Sequence, residues 1–135
     1  MTKLLVQLQN PYPFIQRFTL GAIAGVCCCA RGISAKYFDR LIPHLTAILK
    51  ETRDCNDRRI QMNAIECISC IAARIKPKVF EPYLVQFMEY TFAVAAKHGL
   101  EKQGVIEEVW TSWIKISFAW KELFAPFLPQ VMQSL

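Results

Sequence analysis

Glycine is scarce in this 135-residue chain, at five residues, and none of them sits in an Asn-Gly or Asp-Gly pair. No alternating run of β-branched residues stands in for those turns, so the signals of a hairpin or sheet protein are missing. Histidine is rarer still: His44 and His98 are the whole supply, and neither lies near a Ser or Cys in a nucleophile-like setting. A Ser–His or Cys–His triad is therefore not supported, and the chain reads as a non-enzyme. Long apolar runs are also missing. The longest, Phe18 to Ala30, spans thirteen residues and is interrupted by Thr19, Gly21 and Gly25, short of the roughly eighteen a membrane span needs. At the N-terminus, Leu4 to Val6 is too short for a secretory core, because Gln7 and Gln9 interrupt it and no small-residue cleavage site follows. The expected location is the cytoplasm and nucleus.

What the chain has in abundance is apolar side chain: 53% of residues, against 20% charged. A chain this long suits one domain with a sizeable core. The apolar surplus suggests that some of that surface meets further protein. There are six cysteines, and without a secretory signal a reducing compartment favours free thiols. Cys27, Cys28 and Cys29 are consecutive on a predicted helix and point about 100° apart, so they cannot converge on one metal or one partner. Cys67-x-x-Cys70 lies mid-helix beside Glu66, where no helix N-terminus lowers a thiol pKa. A structural zinc site needs four ligands, and only Cys28 or Cys29 on an adjacent helix could complete one. These cysteines are read as small packing thiols, with no metal, no cofactor and no catalytic residue expected.

The organising feature is a repeat. YFDRLIPHLTAIL from Tyr37, VFEPYLVQFMEYTF from Val79 and LFAPFLPQVMQSL from Leu123 superpose on Phe38, Phe80 and Phe124, at spacings of 42 and 44 residues. Each keeps an apolar residue four positions after its Phe (Ile42, Leu84, Leu128) and seven after it (Leu45, Phe87, Val131), which is one face of an α-helix. A second helix precedes each, over roughly 13–31, 57–75 and 102–121. The period lies within the roughly 40 to 47 residues of HEAT-type helix pairs. The expected fold is all-α: an α-α superhelix, a HEAT/ARM-type solenoid of about three antiparallel helix pairs. Its repeats cover about 13–54, 57–98 and 101–135, with 2–9 the remnant of a preceding helix. At least about three such pairs are usually needed to close a core. This chain has that minimum, so the natural protein is expected to be longer or unusually capped. Open ends would favour self-association.

Punctuation agrees. Pro13 suits a first helical turn, Asp57 can cap the helix it opens, and Lys76-Pro77 breaks the second pair. Gly99, after Lys97 and His98, reads as a helix stop. His98 at that helix end would carry partial positive charge favourably, and His44 is placed on the outer side of its helix.

In the helix from Asp57, the residues Ile65, Ile68, Ala72 and Ile75 share one arc and are assigned to the core, while Asn63, Cys67, Cys70 and Arg74 form the opposing stripe. In the last first-type helix, Val109, Trp113, Ile116 and Trp120 make a buried stripe that leaves Trp110 off its centre. Trp110, or the Asn63/Cys67/Cys70 stripe, is the candidate border of a shallow groove between outer helices. The candidate protein-contact residues are therefore Asn63, Cys67, Cys70, Arg74 and Trp110.

Charge divides unevenly: 12 basic and 5 acidic residues through Lys78, then 4 basic and 6 acidic. The cations do not gather. Arg53, Arg58 and Arg59 lie at one end of a helix and Arg74, Lys76 and Lys78 at the other, roughly 24 Å away at 1.5 Å per residue. Two small clusters argue against a nucleic-acid groove and for solvated charge or contact with an acidic protein.

AIECISCIAARI (Ala64 to Ile75), W-x10-F-x-PFLPQVM (Trp113 to Met132) and FTLGAIAGVCCCARGISAKYFDRLIPHLTAIL from Phe18 together resemble mid-chain HEAT repeats of the importin-β (karyopherin-β) superfamily, most nearly the branch that imports ribosomal proteins. The resemblance covers about Phe18 to Leu135. It implies a segment of a superhelical nuclear transport receptor whose partners are protein cargo, Ran-GTP and phenylalanine-glycine (FG) nucleoporins. In this family, grooves between outer helices receive nucleoporin phenylalanines. HEAT pairs also occur in phosphatase scaffolds and condensin subunits, so the alternative expectation is a scaffold or adaptor outside nuclear transport.

Overall fold

The computed structural model of the protein describes residues 1–30, 32–53, 57–98 and 103–134. These residues are all-helical: α1 (Thr2–Leu8), α2 (Pro13–Cys29), α3 (Ile33–Thr52), α4 (Arg58–Ala72), α5 (Pro77–His98), α6 (Gln103–Trp120) and α7 (Leu128–Ser134), with 3₁₀ turns at Lys121–Leu123 and Ala125–Phe127. Helices α2, α4 and α6 lie side by side in one row, α4 in the middle. Helix α1 packs on α2 and α3, α3 on α4, and α5 on both α4 and α6, forming a second row. Among the described residues no strand occurs, and no helix is long and apolar enough to cross a membrane.

Local chemistry sets the helix ends. Pro13 occupies the first turn of α2, where its missing N–H costs nothing. The Asp57 carboxylate accepts from the backbone N–H of Arg59 at 3.0 Å and of Ile60 at 3.3 Å, which satisfies two amides that the helix itself leaves without partners. Gly32, at φ 81°, turns the chain into α3 in the left-handed conformation that glycine adopts without strain. Helix α3 therefore starts at Ile33, one turn ahead of the expected Tyr37. The expected stop at Gly99 and the expected helix limits at Arg31, Lys102 and Leu135 lie outside the described residues.

The core runs between the rows. Leu20 and Ile23 of α2, Leu41 and Leu45 of α3, Ile65, Ile68 and Ile71 of α4, Phe80, Phe87 and Met88 of α5 and Ile116 of α6 are all fully buried. Burying each such side chain contributes roughly 1.5–3 kcal/mol. The repeated phenylalanines Phe38, Phe80 and Phe124 are buried too, and Phe80 forms an aromatic node with Phe38 at 6.2 Å, Tyr83 at 6.0 Å and Trp120 at 4.9 Å between ring centroids. Helices α3 and α5 reach one another through long side chains at both ends: Phe38 meets Phe80 and Tyr83 at one, and the Thr52 and Tyr90 hydroxyls lie 2.8 Å apart at the other.

The third unit departs from the other two. Where α3 and α5 continue through a single internal proline each, Pro43 and Pro82, the last segment carries both Pro126 and Pro129. Each proline removes one N–H and crowds the carbonyl four residues earlier. With two of them three residues apart, the first turns tighten to 3₁₀, with Phe127 N–H bonding the Phe124 carbonyl at 3.0 Å. Lys121, at φ 38°, makes the reversal out of α6. The α-helix resumes only at Leu128. Leu128, expected on the core face, is consequently 46% exposed.

Candidate protein-contact site

Helix α4 is enclosed on nearly every side, which changes the meaning of its second stripe. Cys67 and Cys70 are buried, as are Ile65, Ile68, Ala72 and Ile75. The stripe opposite the first core face is a seam against α2 and not an open groove. Asn63, half-buried, donates its side-chain amide to the Arg17 carbonyl at 2.8 Å. The Cys70 and Cys28 sulfurs are 2.9 Å apart. Arg74 lies beyond the end of α4, exposed, and reaches back to the Cys28 carbonyl at 2.9 Å. The structure thus gathers Asn63, Cys67, Cys70 and Arg74 along one helix contact, with both cysteines buried, Asn63 half-buried and Arg74 exposed.

Burial also settles the electrostatics of that seam. It pushes the Cys67 thiol well above the usual range, reinforced by the neighbouring thiols Cys27 and Cys70 and by Glu66. Cys70 is pushed up to about 12 by burial and by its contact with Cys28, against the opposing effect of Lys115. Cys27 is raised chiefly by burial. At neutral pH these three thiols are protonated and weakly nucleophilic. Among the described residues, no three His, Cys, Asp or Glu side chains gather in a metal-holding arrangement.

On the adjoining α4–α6 side, burial raises the Glu108 carboxyl above the ordinary glutamate range, and the Glu66 carboxylate adds to this while Lys115 opposes it. The Oε1 atom of Glu108 is buried without a hydrogen-bond partner. Because the folded protein binds this proton more tightly than the unfolded chain, the carboxylate opposes folding above the folded pKa. That penalty fades as pH falls through the raised value toward the ordinary one. Glu108→Gln should stabilise the protein at pH 7 by about 0.5–1 kcal/mol, allowing for screening of a partly exposed group. Urea unfolding at pH 7 and pH 5 checks this, since the gain should shrink at the lower pH.

Trp110 sits elsewhere. It is half-buried on α6, and with Trp113, Ile114, Ser117, Leu128 and Val131 it borders a groove of about 290 Å³ between α6 and the last segment. The walls are almost entirely apolar because the proline-broken turn leaves Leu128 outside the core while Val131 stays in it. Ile114, at 56% exposed, forms the rim. Hydropathy period alone marks Trp110 as off-centre; the cavity beside it arises from the 3₁₀ turns. Trp113 forms the buried floor of the groove, its indole N–H donating to the Thr91 hydroxyl at 2.9 Å and its ring packing on Phe92 at 5.1 Å.

Two residues outside the candidate set matter more for the architecture. Gln61 is fully buried: its side-chain amide donates to the Thr52 carbonyl at 2.9 Å, and its carbonyl oxygen lies 2.6 Å from His98 Nε2. Trp120 donates its indole N–H to the Ala72 carbonyl at 3.0 Å. The place of Gln61 was available from spacing, because it precedes Ile65 by four residues and so lies on the same stripe as Ile65, Ile68, Ala72 and Ile75.

The first-row helices are joined to one another at regular sequence separations. Ties between successive first-row helices join residues 42 to 48 positions apart, from Cys28–Cys70 to Ala72–Trp120. All 135 residues align, at 26% identity, with importin subunit beta-3 of Saccharomyces cerevisiae. The likeness is to an importin, and it is distant. The chain spans 12% of the length of that protein. No family model and no solved structure matches the chain.

Proposed function

We propose that the chain is a protein-binding HEAT-repeat segment of an importin-like nuclear transport receptor, working between cytoplasm and nucleus. The observation that carries this reading is the similarity along the whole chain to importin subunit beta-3. The two-row packing of helix pairs at a 42- and 44-residue period supports it, since stacked pairs of that period are how HEAT solenoids bury their faces. In this reading the helices form a superhelical slab that offers surface and catalyses no reaction. Supporting that, its buried thiols are protonated and His98 is engaged with Gln61.

The groove beside Trp110 is the contact point we assign to apolar side chains of a partner, phenylalanines of FG nucleoporins first among them. An aromatic wall half-shielded from water is where truncation to alanine costs most at an interface. A synthetic peptide of phenylalanine-glycine repeats should be retained by the immobilised chain, and Trp110→Ala should weaken it about tenfold with the melting temperature little changed. A parallel pull-down with Ran-GTP tests the receptor reading. If neither probe is retained by the chain or by a full-length parent, the scaffold reading replaces transport.

A further inference from the structure

The three first-row helices bring a dithiol and a cation to one line. Cys28 of α2 is exposed, Cys70 of α4 is buried, their sulfurs are 2.9 Å apart, and Lys115 of α6 places its Nζ 3.8 Å from the Cys70 sulfur. We propose that Cys28 and Cys70 are a reversible redox couple whose disulfide locks α2 to α4.

The division of labour follows from exposure. Of the two, Cys28 is open to an oxidant from solvent, whereas Cys70 is buried beside it. Closing from 2.9 Å to a bonding distance of about 2.05 Å needs the sulfurs to approach by about 0.9 Å. With a small-molecule disulfide such as oxidised glutathione as the oxidant, the Cys28 thiolate attacks one glutathione sulfur. The glutathione S–S bond breaks, one glutathione leaves as thiolate, and Cys28 carries the other as a mixed disulfide. Cys70 then gives its proton to solvent and attacks the Cys28 sulfur, and the second glutathione leaves as thiolate. Two protein thiols have been oxidised and one glutathione disulfide reduced to two thiols, which take up the two protons.

The second step is the demanding one, because the Cys70 thiolate must form in a buried site. Lys115 is the group that favours it, while Glu66 opposes it. Arg74, whose guanidinium holds the Cys28 carbonyl at 2.9 Å, keeps that end of α2 against the seam. Lys115 is thus a positioning charge for the closing step.

The experiment equilibrates the full chain with oxidised glutathione, traps free thiols with an alkylating agent and maps the peptides by mass spectrometry under non-reducing conditions. The expected product joins Cys28 to Cys70 and is reversed by excess reduced glutathione. Cys70→Ser should stop at a glutathione adduct on Cys28, and Cys28→Ser should leave Cys70 unmodified. In stopped mixtures, Lys115→Met should lengthen the life of the Cys28 adduct roughly threefold or more, since it removes the nearest cation from the forming thiolate. Wild-type protein that accumulates the Cys28 adduct without a cross-link overturns the proposal, and so does a cross-link from Cys28 to Cys27, Cys29, Cys55 or another chain.

Discussion

Gln61→Leu should cost about 3–5 kcal/mol, a large part of the roughly 5–15 kcal/mol that holds a domain of this kind folded. The substitution keeps the volume and adds apolar surface to a fully buried position, so packing alone would favour it. Hydrogen bonding decides the other way. The side-chain amide of Gln61 donates to the carbonyls of Thr52 at 2.9 Å and Arg53 at 3.4 Å, at the end of α3, where carbonyls have no helical partner. Its oxygen meets His98 at 2.6 Å, at the end of α5. One side chain of α4 thus holds the C-terminal ends of both neighbouring helices. Leucine removes that partner from all of these groups, two of whose bonds are buried, at roughly 1–3 kcal/mol for each group left buried and unsatisfied. Urea denaturation measures the loss, and a cost below about 1 kcal/mol would show that the three groups find other partners.

Trp120→Ala should cost a similar amount, about 4–5 kcal/mol, for a different reason. The indole fills the node beside Phe80 at 4.9 Å, and its N–H closes the Ala72 carbonyl at the last turn of α4 at 3.0 Å. Alanine opens a cavity and orphans that carbonyl. Trp120→Phe separates the two effects: it keeps most of the ring and loses the bond, so it should cost only about 1–2 kcal/mol. If the two variants unfold at the same urea concentration, the hydrogen bond and not the packing carries the site.

The helix pattern was legible because apolar side chains at 3.6-residue spacing are what a buried helix face requires, and Phe38, Phe80 and Phe124 mark that face in each unit. Asp57 and Pro13 announced their helix starts for the same kind of reason, since the orphan amides of a first turn must be satisfied or absent. Three things were not legible from period alone. A stripe of Asn63, Cys67 and Cys70 looks like a solvent face when one neighbour is assumed, and becomes interior when α4 has neighbours on both sides. Small side chains such as Cys67, Cys70 and Ala64 were the available hint, because they let helices approach closely. The tightening after Trp120 was hidden by superposing apolar positions while passing over Pro126 and Pro129, which block α-helical bonding there. The groove beside Trp110 is a product of that tightening, so its place could be named from aromatic surplus but its walls could not.

The side-by-side row α2–α4–α6 is cross-tied by polar bonds and by the Asn63, Cys70 and Trp120 contacts, whereas α3 and α5 reach each other through ring edges and a pair of hydroxyls. Mechanically, the tied row should be the stiffer edge of the body and the other the more compliant one. Bending of the body should therefore pivot about the tied row and open or narrow the gaps along the other.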